Sequence, residues 1–256
     1  TTGPLTALLL FHTGFNLVGA AMFLPMTGRY TEWITRMVPD PVGAGLAPLD
    51  RGLLSDAGAA LIAAQSGAAE IARRQFRALS DALRPEPDYR RLSALHPETS
   101  LSIDDLERFL ADVRLPDDLP EEEEVFSSLL HEADHLRRLL ARSGQTAHIE
   151  VLLQDRALRR PALLLGAILS RAAAKDATDL EPARLSRLSA LVEHRTKRHR
   201  RGMLLGEHAG LYSLPEVFAH TDAMRWMQRV LHHAERIGHY DGSARSGLRP
   251  EVKPQP

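Results

Sequence analysis

Residues Pro4 to Met26 read PLTALLLFHTGFNLVGAAMFLPM, 23 residues without an Asp, Glu, Lys or Arg. At about 1.5 Å rise per residue a helix of this length covers roughly 34 Å, against roughly 30 Å for a hydrocarbon core. The stretch is therefore expected to form one transmembrane helix, with the membrane segment placed at residues 1–28. Beyond Arg29 the chain turns charged and helical in pattern. The apolar run also has a polar face. His12 and Asn16 are four apart, and Gly19, Ala20 and Phe23 continue the same side. Polar groups in lipid are costly, so this face should meet other protein or a watery cavity, and its small residues would let a neighbouring helix approach closely. His12 and Asn16 are thus candidates for helix-packing or transport-pathway groups. A lone spanning helix makes no pathway, so the reading requires further membrane helices as partners.

Composition narrows the rest. The chain has 256 residues, a formal net charge of −1, 25% charged residues and no cysteine. Disulfides and thiolate sites are excluded, which fits a cytosolic face. No basic region precedes the apolar run, so a cleavable signal peptide is not expected. The start Thr1-Thr2-Gly3, hydrophobic almost at once, suggests a segment from inside a larger membrane protein. Arg29, Arg36 and Arg51 lie on the C-terminal side of the apolar run, while residues 1–3 carry no side-chain charge. By the positive-inside rule the large domain is cytoplasmic and the protein belongs to the inner or plasma membrane.

After the apolar run, Tyr30, Trp33 and Arg36 suit the level where a helix leaves a bilayer, and Pro39, Pro41, Gly43, Gly45 and Pro48 form a linker. Residues 29–49 are accordingly read as an interfacial helix and linker. From Asp50 to about Arg84, apolar residues recur at three- and four-residue steps and are mostly alanine. A break follows at Pro85, Pro87 and Pro97, and Ser102-x-x-Asp105 resembles a weak capping box that opens a short helix, Leu106 to Val113. The next helix is signalled at both ends. Asp117 or Asp118 can cap it, Pro120 and Glu121 to Glu124 suit its first turn, Arg142 its last, and Gly144 stops it. Its expected buried stripe is Phe126, Leu129, Leu130, Ala133, Leu136 and Leu140. Helical patterns continue over 148–175, with a break near Pro161, and from Pro182 to about Leu205. Ser213-x-x-Glu216, with Pro215, opens a last helix to about His239. The fold class is all-α: one N-terminal transmembrane helix, then an antiparallel helical bundle over 50–241 and a disordered tail over 242–256.

Three constellations carry possible chemistry. His131-Glu132-Ala133-Asp134-His135 is an H-E-x-x-H on an expected helix, where two histidines on one face can bind zinc with Glu132 as base. It supports an alternative reading as a membrane-anchored zinc metallopeptidase. No third-ligand extension follows it, so the favoured reading is non-enzymatic, with no catalytic residues. Glu235 and His239 are i,i+4 on the last helix, a spacing able to hold a metal between helices. The basic run HRTKRHRR, His194 to Arg201, lacks aromatic interleaving, so anionic lipid or an acidic partner suits it and nucleic acid does not.

The run His12, Phe15, Asn16, Gly19, Phe23 and Pro25 resembles the H-x-x-F-N-x-x-G-x-x-x-F-x-P of the last membrane segment of bacterial sodium/phosphate symporters. LDRGLLSDAGAALIAAQSGAAEIAR, Leu49 to Arg73, is similar to the linker and first helix of the PhoU-like domain that these transporters carry, and Asp222 to Asp241 to its last helix. The resemblance implies a PhoU-like regulatory or interaction bundle behind the closing helix of a sodium-coupled phosphate transporter. It implies sodium and inorganic phosphate as the parent protein's solutes, and the remaining transmembrane repeats and membrane lipid as partners. The family's glutamine–serine-rich signature is absent from this stretch. The E-x-x-x-D by which PhoU proteins bind metals has His239 at its aspartate position, and Arg137 stands where the earlier helix would have its glutamate. A third reading is a freestanding membrane-tethered regulatory bundle.

Overall fold

The computed structural model describes residues 3–23, 49–116, 120–174 and 182–248, and these form α-helices α1 Pro4–Phe23, α2 Ala57–Ala82, α3 Arg90–Asp112, α4 Pro120–Ser143, α5 Thr146–Gln154, α6 Arg159–Ala174, α7 Pro182–His208 and α8 Leu214–Gly247. A short 3-10 turn, Arg51–Ser55, precedes α2. No strand occurs among the described residues, so the all-α expectation holds. The chain divides into two units, residues 1–44 and 45–256.

In the first unit α1 has 20 residues, shorter than the expected span over 1–28. Thr6, His12, Thr13 and Asn16 interrupt its apolar surface, and among the described residues no helix is long and apolar enough to cross a membrane. The transmembrane expectation is therefore unsupported by this helix. Residues 24–48, which hold nearly all of the expected interfacial helix and linker, lie outside the described residues. Within α1, Asn16 Nδ2 and His12 Nε2 are 3.1 Å apart, as expected of a shared face. The large apolar side chains Leu8, Leu9, Leu10, Phe11, Phe15, Leu17 and Val18 are between 61% and 72% exposed.

The second unit is built around α2. Asp56 caps its start by accepting from Ala59 N at 2.9 Å. Ala60, Ala64, Ala68, Ala72, Ala78 and Ala82 are buried along it, and small side chains let α3, α4, α6 and α8 all lie against one helix. A close approach to backbone occurs at Gly166 of α6, where a Cβ would stand 2.9 Å from both Cβ and the carbonyl oxygen of Leu83. The most extensive pairing is α4 with α8. Leu129, Ala133 and Leu136 of α4 and Val230, Ala234 and Ile237 of α8 belong to one core with Phe76 and Phe109.

Two expected boundaries move. Pro97 does not end a helix: α3 runs through it, with Ser102 Oγ donating to Glu98 O at 3.0 Å where a cap was expected. Pro97 is exposed, while Leu92, Thr99, Ile103, Leu106 and Phe109 bury a continuous stripe. That burial outweighs one missing hydrogen bond. The last helix does not stop near His239 but continues to Gly247, because Asp241 and Ala244 are fully buried. The first part of the expected disordered tail is therefore helix, and residues 249–256 lie outside the described ones. The break near Pro161 comes slightly earlier, at Asp155 to Leu158, leaving Pro161 in the first turn of α6. Leu130, expected in the core, is largely exposed, and Val125 and Leu139 join the buried side of α4 instead.

Candidate functional site

The long contact between α4 and α8 gathers histidines and arginines on its outer edge. His135 of α4 meets His233 of α8 through their Nδ1 atoms at 3.1 Å, so one proton is shared between two rings. His232 lies edge-on to His135, with ring centroids 5.7 Å apart. Arg138 and Arg142 of α4 and Arg225, Gln228 and Arg229 of α8 complete an open cleft of about 480 Å³. Four guanidinium groups and three imidazoles thus line one depression, with no carboxylate in its wall among the described residues.

Neighbouring groups set the charge. Arg138 is held by both oxygens of Asp134 at 2.8 and 2.9 Å, and Arg225 approaches Asp222 at 3.3 Å. Arg142 is different: its Nε is buried without a hydrogen-bond partner among the described residues, while its carbonyl accepts from Trp226 Nε1 at 2.9 Å. Burial pushes the His233 imidazolium down to about 4, helped by His135, His232, Arg142 and Arg138. Burial also lowers the pKa of His135, against the opposing pull of Asp134. Both rings are neutral at pH 7, and the positive charge of the cleft rests on its arginines. The arrangement suits a small multivalent anion: arginines supply charge-assisted donors, and Gln228 and the neutral imidazoles supply orientable ones. The three histidine nitrogens are close enough together to meet a metal ion, but such an ion would face four cationic side chains and no carboxylate.

The H-E-x-x-H residues separate. His131 is exposed and stacks on Tyr240 with centroids 5.0 Å apart. Glu132 has no exposed surface, and neither of its oxygens has a hydrogen-bond partner among the described residues. It faces the core, within electrostatic reach of Asp241 and Arg245. His135 is grouped with His232 and His233, not with His131. Glu235 is half-buried and His239 exposed, and His239 stands edge-on to Tyr240 with centroids 5.2 Å apart; neither belongs to a metal-compatible group among the described residues.

A separate buried polar centre joins α2, α4 and α8. Asp241 Oδ1 accepts from Gln65 Nε2 of α2 at 2.7 Å and from Arg245 Nε at 3.0 Å, while its Oδ2 is buried with no hydrogen-bond partner among the described residues. Burial and the Asp241 charge raise the pKa of Glu132 well above the ordinary carboxyl value, with Arg245 opposing. Glu132 is therefore the protonated member of the centre. Sequence reasoning missed both this centre and the arginine cleft. The Arg138-Arg142 and Arg225-Arg229 spacings, i,i+4 on two helices, were the available signal.

No family model, curated protein or solved structure matches the chain.

Proposed function

We propose that the chain is the C-terminal part of a sodium-dependent inorganic phosphate symporter, with α1 as the closing membrane helix and the unit behind it as a PhoU-like cytosolic regulatory or interaction bundle. What supports the reading is the resemblance carried by the residues of α1. The H-x-x-F-N-x-x-G run lies on one uninterrupted helix, its His12 and Asn16 are bonded to each other, and its large apolar side chains are exposed. Twenty residues reach about 30 Å, close to the thickness of a hydrocarbon core, and the polar groups that keep α1 from being apolar enough to cross a membrane by itself would face the other transporter helices. Such a helix needs cover on its aliphatic sides and company on its polar one, and lipid and other transporter helices supply both. His12 and Asn16 then pack against the substrate-holding repeats without forming a site of their own.

The arginine–histidine cleft adds to the reading. In this role it is where the cytosolic bundle meets an anion, and inorganic phosphate, the solute of the proposed parent, has the size and charge for it. The test is transport. The parent protein, encoded by this chain together with the DNA upstream of Thr1, is expected to drive phosphate uptake into vesicles only under a sodium gradient. This chain alone is expected to enter the membrane and drive none. Sodium-dependent uptake by the isolated chain would overturn the reading, as would a parent protein that moves no phosphate.

A further inference from the structure

On the face built by the α5–α6 junction, α7 and α8, three residues far apart in sequence converge. Asp155 Oδ2 lies 3.3 Å from His199 Nε2 and 3.3 Å from His220 Nε2, and the three ligand atoms lie within 4.8 Å of one another. All three side chains are well covered, between 13% and 22% exposed. We propose that Asp155, His199 and His220 form a binding site for a borderline divalent cation such as zinc, which ties α7 to the α5–α6 junction and to α8.

The hydrogen bonding of each group points the same way. His220 Nδ1 lies 2.8 Å from the Glu216 carbonyl oxygen. A carbonyl only accepts, so Nδ1 carries the proton, and in the neutral ring Nε2 presents its lone pair toward Asp155. Metal-binding histidines are oriented in this way, by donating the other ring N–H to a carbonyl. Asp155 is oriented too. Its Oδ1 accepts from Ala157 N at 2.7 Å and Leu158 N at 2.9 Å, leaving Oδ2 directed at the two imidazoles. His199 Nε2 is buried and close to Oδ2, yet has no aligned hydrogen-bond partner among the described residues.

A cation seated between Oδ2 and the two Nε2 atoms would be coordinated by all three groups. The spacing fits: two ligand atoms each about 2.05 Å from a tetrahedral zinc are about 3.3 Å apart. A carboxylate oxygen and two imidazole nitrogens make a borderline donor set and leave a fourth position for water. Arg195, one turn before His199, is turned onto the Ala157 carbonyl at 3.5 Å. The site differs from the arginine cleft in having a carboxylate. It does not rest on the transporter reading.

The experiment is zinc titration of the purified, chelator-treated full chain, by calorimetry and by competition with a chromogenic chelator. Cobalt substitution gives a second readout through the visible absorption of the tetrahedral ion. The chain is expected to bind one zinc with Kd below about 1 µM. His199→Ala and His220→Ala are each expected to weaken it by about 100-fold or more, whereas His233→Ala, which alters the other histidine group, leaves it unchanged. Asp155→Asn keeps an oxygen for the Ala157 and Leu158 amides but replaces Oδ2 with an N–H donor. It is expected to retain helical circular dichroism and lose the metal, which separates ligation from folding. The proposal is overturned if the full chain binds no zinc in this range, or if its zinc survives His199→Ala and His220→Ala, or if only His233→Ala removes it.

Discussion

Replacing Glu132 with Gln should make this protein more stable at neutral pH, by an amount that grows with pH. Glu132 is fully buried with both oxygens unpartnered, and burial followed by the Asp241 charge raises its pKa well above the ordinary range. In the unfolded chain the same carboxyl ionises near pH 4.3, about the value for a free Glu. Between these two pKa values the folded state holds a proton that the unfolded state has released. The contribution of Glu132 to stability is therefore fully present below about pH 4.3 and is lost as pH rises, at about 1.4 kcal/mol per pH unit. Each pH unit inside that window costs about 1.4 kcal/mol. Gln keeps the shape and does not ionise. Urea unfolding followed by far-ultraviolet circular dichroism at pH 5, 6 and 7 measures the difference between variant and parent. The expected difference grows by about 1.4 kcal/mol per unit. A pH-independent difference, or a variant that loses more stability at pH 7 than at pH 5, refutes the assignment of Glu132 as a buried neutral acid.

His233 acts with the opposite sign. Its pKa falls to about 4 in the fold from about 6.5 unfolded, so stability is lost as pH drops through that window, by about 3 to 4 kcal/mol in total; His233→Gln should abolish this loss in the same urea assay. Gly166→Ala should lower stability by about 1 to 3 kcal/mol, because the added Cβ meets the Leu83 carbonyl oxygen at 2.9 Å and backbone cannot step aside; thermal unfolding reads it as a lower Tm. For the cleft, Arg142→Gln should weaken inorganic phosphate binding by about ten- to a hundredfold, the worth of a charge-assisted hydrogen bond. Calorimetry at low ionic strength checks this, and an affinity indifferent to Arg142 and Arg229→Ala removes the anion reading of the cleft.

Much of the helical layout was legible because helix ends are local. The Glu121 to Glu124 run after Pro120 and the Arg142–Gly144 end bracket α4 within its own residues. At the start of α8 the Glu216 carboxylate accepts from Ser213 N and Ser213 Oγ at 2.7 Å each, as its spacing implies. The turn before α8 is equally local: Gly210 takes φ 72° and closes α7 through Leu211 N to Gly206 O at 2.8 Å. Pro97 and the C-terminal end of α8 escaped that reading. Proline's cost depends on which side of the helix faces solvent, and the Gly-Ser-Ala-Arg-Ser stretch of 242–246 stays helical because Ala244 has a core to enter.

By itself the amino-acid sequence determined an all-α chain, an apolar charge-free helix at its start, and the caps and alanine stripe that allow α2 to be central. These depend on neighbours within one or two turns, which periodicity and capping chemistry report directly. Only the tertiary structure decided which polar groups meet. H-E-x-x-H was conspicuous as a string, yet the packing of α4 on α8 turns Glu132 into the core and gives His135 to His233. Asp155, His199 and His220 form no string at all, and they meet because an interhelical turn and two long helices bring them to one point. A local pattern sets the face of one helix, but the opposing groups come from other helices, so the chemistry is set by packing.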